Sequence, residues 1–501
     1  MVHPSIAPHL PQEILCLIAE HLQELKASLV PCTRVCRQWQ VGFEPLIYAE
    51  PINVFSADGV SKEGCGRAMP LSHFQKVTSG NGVARRGLIR HLSYHIVVPI
   101  DLADWQTRKQ KGYNLENSVR QNNDIAFQSA IVDLFNTLTL WDPDSRLSLD
   151  LALLGREEGK EPRTTDFPIA GDYCYNYTKG RTMSVTVYRA SFPDDGLSLL
   201  PAVACIDRLF FHYDYPCHQI WAGSAMEIAR RCTSLTEIIL DLNEYIRPDH
   251  IEYIQARRQA VADGLLTMPH SLKIFNFRNQ DESPWKEMIS GLNVLLSDND
   301  FLSQNILNLS LSLRELKIRN LSLTPDFMFP LDTESHPLPT SRSLYWPSLE
   351  VVELTHVPPR LPSGEWVAHP TPEGQLRIDE VEDWEFIICD LEEGLIERPI
   401  FDREHFHRTL ISLGHAARHM PCLRYIKYRL GHTTHFEFEF ELDSSSGEAE
   451  WLLDSPFRPD QRVADVWKFP LEDEDVKLPP MSITIADWSQ HVAGSQGNTK
   501  E

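Results

Sequence analysis

Two pairs of potential metal ligands lie four residues apart, a spacing that would place both side chains on one face of a helix. Cys32 and Cys36 form one pair, and His415 and His419 form the other. Zinc sites use thiolates and imidazoles, but their cysteines are more often spaced as CxxC. Both cysteines fall on an apolar stripe, and no Glu or Cys near the histidines completes a ligand set. We therefore expect core cysteines, surface histidines and no metal.

The sequence lacks the local signatures of common enzyme sites. It contains no G-x-S-x-G elbow, no P-loop and no HExxH motif. The stretch GCGRAM from Gly64 has two glycines of the dinucleotide fingerprint but not the third, and it follows no predicted strand, so we interpret it as a loop. No pair of carboxylates is singled out as an acid and base. We expect no enzyme activity and no cofactor.

The charge balance narrows the class of partner. Among 501 residues, 70 Asp and Glu outnumber 47 Lys and Arg, for a net charge of -23. This balance argues against nucleic acid or an anionic membrane as the main partner. Two explanations remain open, namely a solvated acidic surface and an acidic face for a basic partner.

The length of the chain limits its number of domains, and its sequence signals bear on its location in the cell. A chain of 501 residues predicts two to four domains or one extended repeat body. The N-terminus lacks a signal-peptide pattern, no apolar run is long enough to span a membrane, and the ten cysteines include no CxxC pair. We expect reduced thiols and a cytoplasmic or nuclear location, or both.

Two apolar stripes near the N-terminus have helical spacing. The first begins at LPQEIL and continues at positions 10, 14, 17, 18, 22 and 25, with Pro11 suited to the first turn. The second is predicted to start at Ser28 and to end at Pro45, and it contains VCRQW at positions 35–39. About forty residues cannot build a stable core alone, so we expect these helices to bury apolar surface against the body or another protein.

Taken together, the two stripes resemble an F-box, the module that docks receptor proteins onto the Skp-type adaptor of cullin–RING ubiquitin ligases. The resemblance implies a three-helix fold, and the linker QELKASLV departs from the pattern by lacking the Asp-Leu common before the second helix. It also implies an adaptor-binding surface formed by Leu10, Pro11, Ile14, Leu17, Ile18, Val35, Cys36 and Trp39. If instead the two helices belonged to the core of the body, no docking would follow.

The body carries a weak repeat of the form Leu-x-x-apolar-x-apolar, which is typical of short strands that bury alternate residues. It begins at Leu235, Leu272, Leu313, Leu349 and Leu423. Amphipathic helices are predicted within 251–266, 285–296 and 406–420. Strands and helices that recur at a fixed period predict an α/β solenoid of the leucine-rich-repeat type, irregular because the period exceeds 20–29 residues. Unrelated α/β units with similar buried strands are the alternative.

The predicted division of the chain is an F-box at 1–50, a connector at 51–87, a repeat body at 88–488 and a disordered tail at 489–501. Within the body we predict insertions at 325–347 and 357–399. The alternation in HFEFEFEL predicts a strand with the phenylalanines inward. WPSLEVVEL and the repeats make the body similar to those of fungal F-box proteins with degenerate leucine-rich repeats.

The resemblance implies a substrate-recognition subunit of an SCF-type ligase. Its partners would be a Skp-type adaptor, through it a cullin, and an unknown protein substrate. A scaffold bound to the adaptor without a role in degradation is the alternative.

Overall fold

The structure is a computed structural model, and it describes most of the chain. The described residues are 10–25, 28–58, 68–99, 118–155, 189–193, 196–211, 219–243, 251–280, 291–379, 396–431, 434–443, 445–471, 480–486 and 488–493.

Eleven α-helices are assigned within the described residues. They are α1 (Gln12–Glu24), α2 (Arg37–Ala49), α3 (Leu71–Val77), α4 (Ser118–Leu138), α5 (Ala222–Arg231), α6 (Ile251–Leu265), α7 (Phe301–Ser310), α8 (Pro372–Asp379), α9 (Arg403–Ala417), α10 (Gln461–Trp467) and α11 (Trp488–Ala493). Short 3-10 helices add Val30–Arg34, Gly80–Gly87, Gly196–Leu199 and Ser341–Ser343.

Seventeen strands accompany these helices in the described part of the chain. They are β1 (Ile52–Phe55), β2 (Ala68–Pro70), β3 (His91–Val98), β4 (Leu147–Gly155), β5 (Arg189–Ala190), β6 (Ile206–Phe211), β7 (Gln219–Ile220), β8 (Glu237–Asn243), β9 (Ile274–Gln280), β10 (Glu315–Arg319), β11 (Val351–Val357), β12 (Ala368–His369), β13 (Ile400–Phe401), β14 (Tyr425–Leu430), β15 (Glu437–Leu442), β16 (Ala449–Asp454) and β17 (Met481–Ile485). The chain is therefore mixed α/β, as its sequence predicts.

Thirteen of these strands form one sheet, in the order β17-β16-β15-β14-β11-β10-β9-β8-β6-β4-β3-β1-β2. Every pairing from β2 to β14 is parallel, whereas β14 to β17 form an antiparallel meander. Parallel neighbours require crossover connections, and most of the helices lie in these connections. One continuous apolar core joins the sheet to helices on one of its faces.

The predicted Leu-x-x-apolar-x-apolar repeat is confirmed as the buried face of five neighbouring strands. Each repeat leucine precedes its strand by two residues and is at most 1% exposed. The two apolar positions that follow are also buried in all five copies. Backbone bonds link one copy to the next, since Arg314 N donates to Lys273 O and Glu350 N donates to Arg314 O. Neighbouring copies of the repeat therefore lie side by side in register.

An asparagine lies between two of these units. Asn279 is buried at the end of β9, where its Nδ2 donates to the backbone oxygen of Asn320 at 3.1 Å. Its Oδ1 accepts from Arg257 Nη2 at 3.0 Å. Asn320 itself has a φ of 64°, a left-handed conformation that asparagine tolerates. This side chain satisfies backbone groups where the parallel strands end, which the sequence analysis had not predicted.

Several segments differ from their prediction. The predicted connector 51–87 contributes β1, β2 and α3, and Phe74 of α3 is fully buried. Residues 325–347 pack into the core through Met328 and Trp346. Of the helix predicted within 285–296, the first part lies outside the described residues and 291–296 is not helical. The strand predicted in HFEFEFEL is confirmed as β15, with Phe438 and Phe440 buried.

Two further predictions fall partly on residues that are not described. These are the insertion at 357–399, of which 380–395 are outside, and the tail, of which 494–501 are outside. The described start of the tail is helical, because α11 continues to Ala493, so the prediction of disorder is wrong for that part. Within the described residues, no helix is both long enough and apolar enough to cross a membrane.

Candidate functional site

The N-terminal helices α1 and α2 enclose a small core of their own. It consists of Leu15, Ala19, Leu29, Phe43 and Ile47. In α1 the inward positions are four apart, so one helical face is buried and the opposite face is left open. The prediction that one stripe of α1 is buried is therefore wrong in part. Leu15 is buried in the small core, whereas the predicted positions 14, 17 and 25 are exposed.

The second predicted helix is divided in two. A 3-10 helix covers Val30–Arg34, and α2 begins only at Arg37 because Cys36 has extended backbone dihedrals of -163° and 172°. Pro45 lies inside α2 and does not end it. Its ring removes one backbone hydrogen bond, but the next turn buries Ile47, and this burial keeps the helix continuous to Ala49.

The two helices approach each other closely at Gly42. A Cβ at this position would lie 3.1 Å from the Cβ of Leu15 and 3.2 Å from Nε2 of Gln12. The Cβ of Leu15 is bonded directly to the backbone of α1, so it cannot rotate away from this contact. Gly42 therefore sets the spacing between α1 and α2 and, through it, the arrangement of their outer faces.

Five of the eight residues predicted to bind the adaptor are exposed. Ile14 and Leu17 in α1 are 41% and 59% exposed, and Val35 after the 3-10 helix is 62% exposed. Pro11 and Cys36 are also exposed. Large apolar side chains in this position gain little from folding alone, so a partner surface would gain from covering them.

The other three predicted residues are half-buried. Leu10, Ile18 and Trp39 pack against the small core. The Trp39 ring stacks on Phe43, with ring centroids 5.2 Å apart and an angle of 6° between the planes. Trp39 thus stabilises the packing of α2 and also exposes one ring edge to solvent. Its truncation would change both the stability of the domain and the exposed surface.

Two exposed apolar residues were missed by the sequence analysis. Val30 and Val41 are 47% and 56% exposed. Val41 lies on the outer side of α2, four residues after Arg37 and four before Pro45, both of which are exposed. The i, i+4 spacing of Arg37, Val41 and Pro45 is visible in the sequence. The stripe through Trp39 and Phe43 is the stronger apolar pattern of the same helix, and it predicts a different face.

The helical pair is attached to the sheet by polar and apolar contacts. Glu44 of α2 pairs with Arg85 of the 3-10 helix Gly80–Gly87, at 2.8 Å between Oε1 and Nη2. Arg85 also donates from Nη1 to Val77 O. Tyr48 packs against both the small core and the main core. The open face of α1 is therefore held in a defined orientation to the body.

The open face of the large sheet carries alternating charges in register. Lys317, Glu353, Lys427 and Glu439 lie side by side on β10, β11, β14 and β15. Lys427 Nζ is 2.5 Å from Glu439 Oε1, and Lys317 Nζ is 3.8 Å from Glu353 Oε1. Many of the acidic residues here are thus already paired, which favours the solvated-surface explanation of the net charge over a uniformly acidic binding face.

Both pairs of potential metal ligands have other roles. His415 and His419 are half-buried and flank the ring of Phe329, with centroids 5.3 Å away in each case, so the prediction of surface histidines is wrong. Cys32 packs on the small core as predicted, whereas Cys36 is exposed because the helix is interrupted there. Among the described residues, no group of three or more His, Cys, Asp or Glu side chains is placed to hold a metal.

Comparison with known proteins identifies the N-terminal helical pair. A family model described as F-box-like matches residues 7–42, which include α1, the 3-10 helix and the first part of α2. The chain therefore carries an F-box-like domain. No curated protein and no solved structure matches the chain.

Proposed function

We propose that this protein is a substrate receptor of a cullin–RING ubiquitin ligase, whose F-box-like domain binds a Skp-type adaptor and whose body binds a protein substrate. The observation that carries the proposal is the exposure of apolar residues on a domain that matches the F-box-like model. Ile14, Leu17 and Val35 belong to this set. F-box domains in general bind Skp-type adaptors, and a cullin would join through the adaptor.

The exposed apolar side chains of the domain can act as binding anchors. Burying an exposed leucine or isoleucine contributes about 1.5–3 kcal/mol. A few such anchors dominate the affinity of most protein interfaces. The domain offers these anchors on α1 and around Val35, while its own core is already formed by other residues. Binding would therefore not require the domain to unfold.

We further propose that the body is an irregular leucine-rich-repeat solenoid. Its support is the parallel sheet, which follows chain order from β3 to β14, with buried repeat leucines and the asparagine bond from Asn279 to Asn320. The antiparallel strands β15 to β17 would close the C-terminal end of the parallel sheet and reduce its exposed edge.

The mechanism in this proposal is proximity. The receptor itself transfers nothing and has no enzyme activity, and it raises the effective concentration of substrate lysines near a ubiquitin-charged enzyme. The contact between Glu44 and Arg85 supports this role, because a fixed angle between adaptor and substrate limits which lysines can be reached. The proposed site of action is the cytoplasm or nucleus.

The test is binding of the full-length protein to a purified Skp-type adaptor, measured by calorimetry. Ile14→Ala and Leu17→Ala should each weaken binding by about tenfold or more, as expected when an interface anchor is truncated. Leu266→Ala is the matched control, since Leu266 is a 65% exposed leucine in the body. It should bind as the native chain does.

Two results would overturn the proposal. Adaptor binding that is absent in the full-length chain would remove the receptor role, and equal losses in the control would show that the effect is not local. Whether a cullin and ubiquitylated proteins co-purify with the chain then separates a ligase receptor from an adaptor-bound scaffold.

A further inference from the structure

A cavity of about 470 Å³ opens beside the turn between β14 and β15, within the body. Its size falls in the range of small-ligand sites. One side is formed by the segment that leads into β13, including Arg398 and Phe401, and the other by Arg429, Thr434 and Phe436. This cavity lies in the part of the chain to which the proposed function assigns substrate binding, and the inference that follows rests on that assignment.

The polar part of the wall contains the donors Arg398, Arg429 and Thr434 beside His435 and the carboxylates of Glu397 and Glu437. Arg398 is 3% exposed, its guanidinium carbon lies 3.5 Å from the centroid of the Trp366 ring, and its Nη1 donates to Ala368 O. Arg429 lies across the cavity at the end of β14. Two guanidinium groups therefore border one space.

A third donor in this wall has no hydrogen-bond partner among the described residues. Thr434 is 4% exposed, and its Oγ1 forms no hydrogen bond with any described residue. Its backbone is well bonded, because Thr434 N donates to Gly431 O and Thr434 O accepts from Phe436 N. A buried hydroxyl without a partner costs about 1–3 kcal/mol, and a ligand that accepts its proton would recover this.

Another part of the wall is apolar. Phe401 and Phe436 lie with ring centroids 5.9 Å apart and an angle of 58° between their planes. Pro399 and Pro456 lie beside them. A ligand for this cavity therefore needs an apolar group next to an acceptor that two arginines can recognise.

We propose that the cavity binds the C-terminal residue of a polypeptide, with its α-carboxylate toward Arg429 and Thr434 and its apolar side chain among the phenylalanines and prolines. A monoanion fits better than a phosphate dianion, because Glu397 and Glu437 also line the cavity. The Glu437 carboxylate lies 2.5 Å from Lys427 Nζ and 3.7 Å from Arg429 Nε, so it is shared between two cations and neutralises Arg429 only in part. The substrate class of the proposed receptor is then proteins that end in an apolar residue.

The experiment uses the full-length protein and fluorescent hexapeptides of sequence Gly-Ser-Gly-Ser-Ala-X, where X is Phe, Leu, Met or Val. Each peptide is compared as free acid and as C-terminal amide by fluorescence polarisation. At least one free acid should bind, and its amide should bind about tenfold more weakly or worse, the loss expected for a charged hydrogen bond. Inorganic phosphate and 3-phenylpropanoate serve as competitors.

The variants separate binding from folding. Arg429→Gln should weaken the free acid by about tenfold, whereas Arg424→Gln, an exposed arginine just before the same strand, should not change it. Thr434→Val should weaken binding without lowering the unfolding temperature, because the hydroxyl has no described partner. Equal binding of acid and amide, or no binding by any of the four peptides, would overturn the proposal.

Two competition results would also overturn it in favour of another source of the anion. Phosphate that displaces the peptide at micromolar concentration would identify a phosphate site. 3-Phenylpropanoate that binds as tightly as the best peptide would identify a small-molecule site. Adaptor binding is measured on the same preparations, so a failure here is distinct from failure of the proposed receptor role.

Discussion

The carboxylate of Glu44 accepts two contacts from the guanidinium of Arg85, 2.9 Å from Nε and 2.8 Å from Nη2. Glu44 lies on α2, whose first part the F-box-like model matches, and Arg85 lies on the 3-10 helix Gly80–Gly87, between α3 and β3. Both side chains are largely buried, at 14% and 25% exposure. An ion pair in this environment is screened less than one on the surface, so it links the orientation of the domain to the body.

A double-mutant cycle measures this link. Glu44→Gln and Arg85→Gln should show a coupling free energy of about 1–2 kcal/mol in denaturant unfolding, above the surface range. The matched control is the pair Glu227 and Arg230, 2.6 Å apart within α5 and more exposed, for which we expect about 0.5 kcal/mol or less. Coupling of equal size in both cycles would contradict a special role for the first pair.

Gly42 should not accept a larger side chain. Gly42→Val would force β-branched methyl groups against Leu15 and Gln12, which costs about 1–3 kcal/mol of stability and separates α1 from α2. Adaptor binding should weaken with it, because the outer faces move apart. Gly87→Val is the control, since a Cβ there meets nothing within 4 Å. Unchanged thermal unfolding of Gly42→Val would show that the helices adjust freely.

The repeat leucines should be the strongest determinants of body stability. Leu313→Ala removes a fully buried side chain that precedes β10, and we expect a loss of about 2–5 kcal/mol in unfolding free energy. Leu266→Ala removes an exposed leucine and should change stability by about 0.5 kcal/mol or less. Guanidinium unfolding monitored by circular dichroism compares the two. Similar midpoints would argue against stacked repeats.

His415 should make the protein less stable as the pH falls. Burial, with the nearby Arg418 cation, lowers the pKa of His415 from 6.5 to about 4. Between these two values the unfolded chain binds a proton that the folded chain does not, so stability decreases as pH falls from about 6.5 toward about 4. Burial likewise lowers the pKa of His405 to about 4, so His415 supplies part of this dependence.

The measurement is urea unfolding at several pH values between 7 and 4. His415→Phe keeps a ring against Phe329 and removes the titrating group. The slope of its unfolding free energy against pH should therefore be smaller, by the equivalent of up to one bound proton. His435→Phe is the control, because His435 is exposed and pairs with Asp454. An unchanged slope in His415→Phe would mean that another group accounts for the dependence.

Features that depend on local periodicity could be predicted from the residues alone. The F-box-like domain could be identified because the LPQEIL and VCRQW stretches lie in order at a characteristic distance, and the family model matches the same region. The five buried strands could be identified because side chains alternate along a strand, so each Leu-x-x-apolar-x-apolar segment marks its own inward face. Mixed α/β content follows from the same patterns.

Which apolar residues of a stripe face inward, and which stay exposed, depends on packing between distant segments. Leu15 and Leu17 are chemically equal in the sequence, but packing against Phe43 buries one and leaves the other in solvent. Contacts distant in sequence also determined the continuation of α2 through Pro45, the burial of His415 against Phe329 and the cavity between Arg398 and Thr434. The physical reason is that burial depends on which segments the fold brings together, and spacing within one segment does not contain that information.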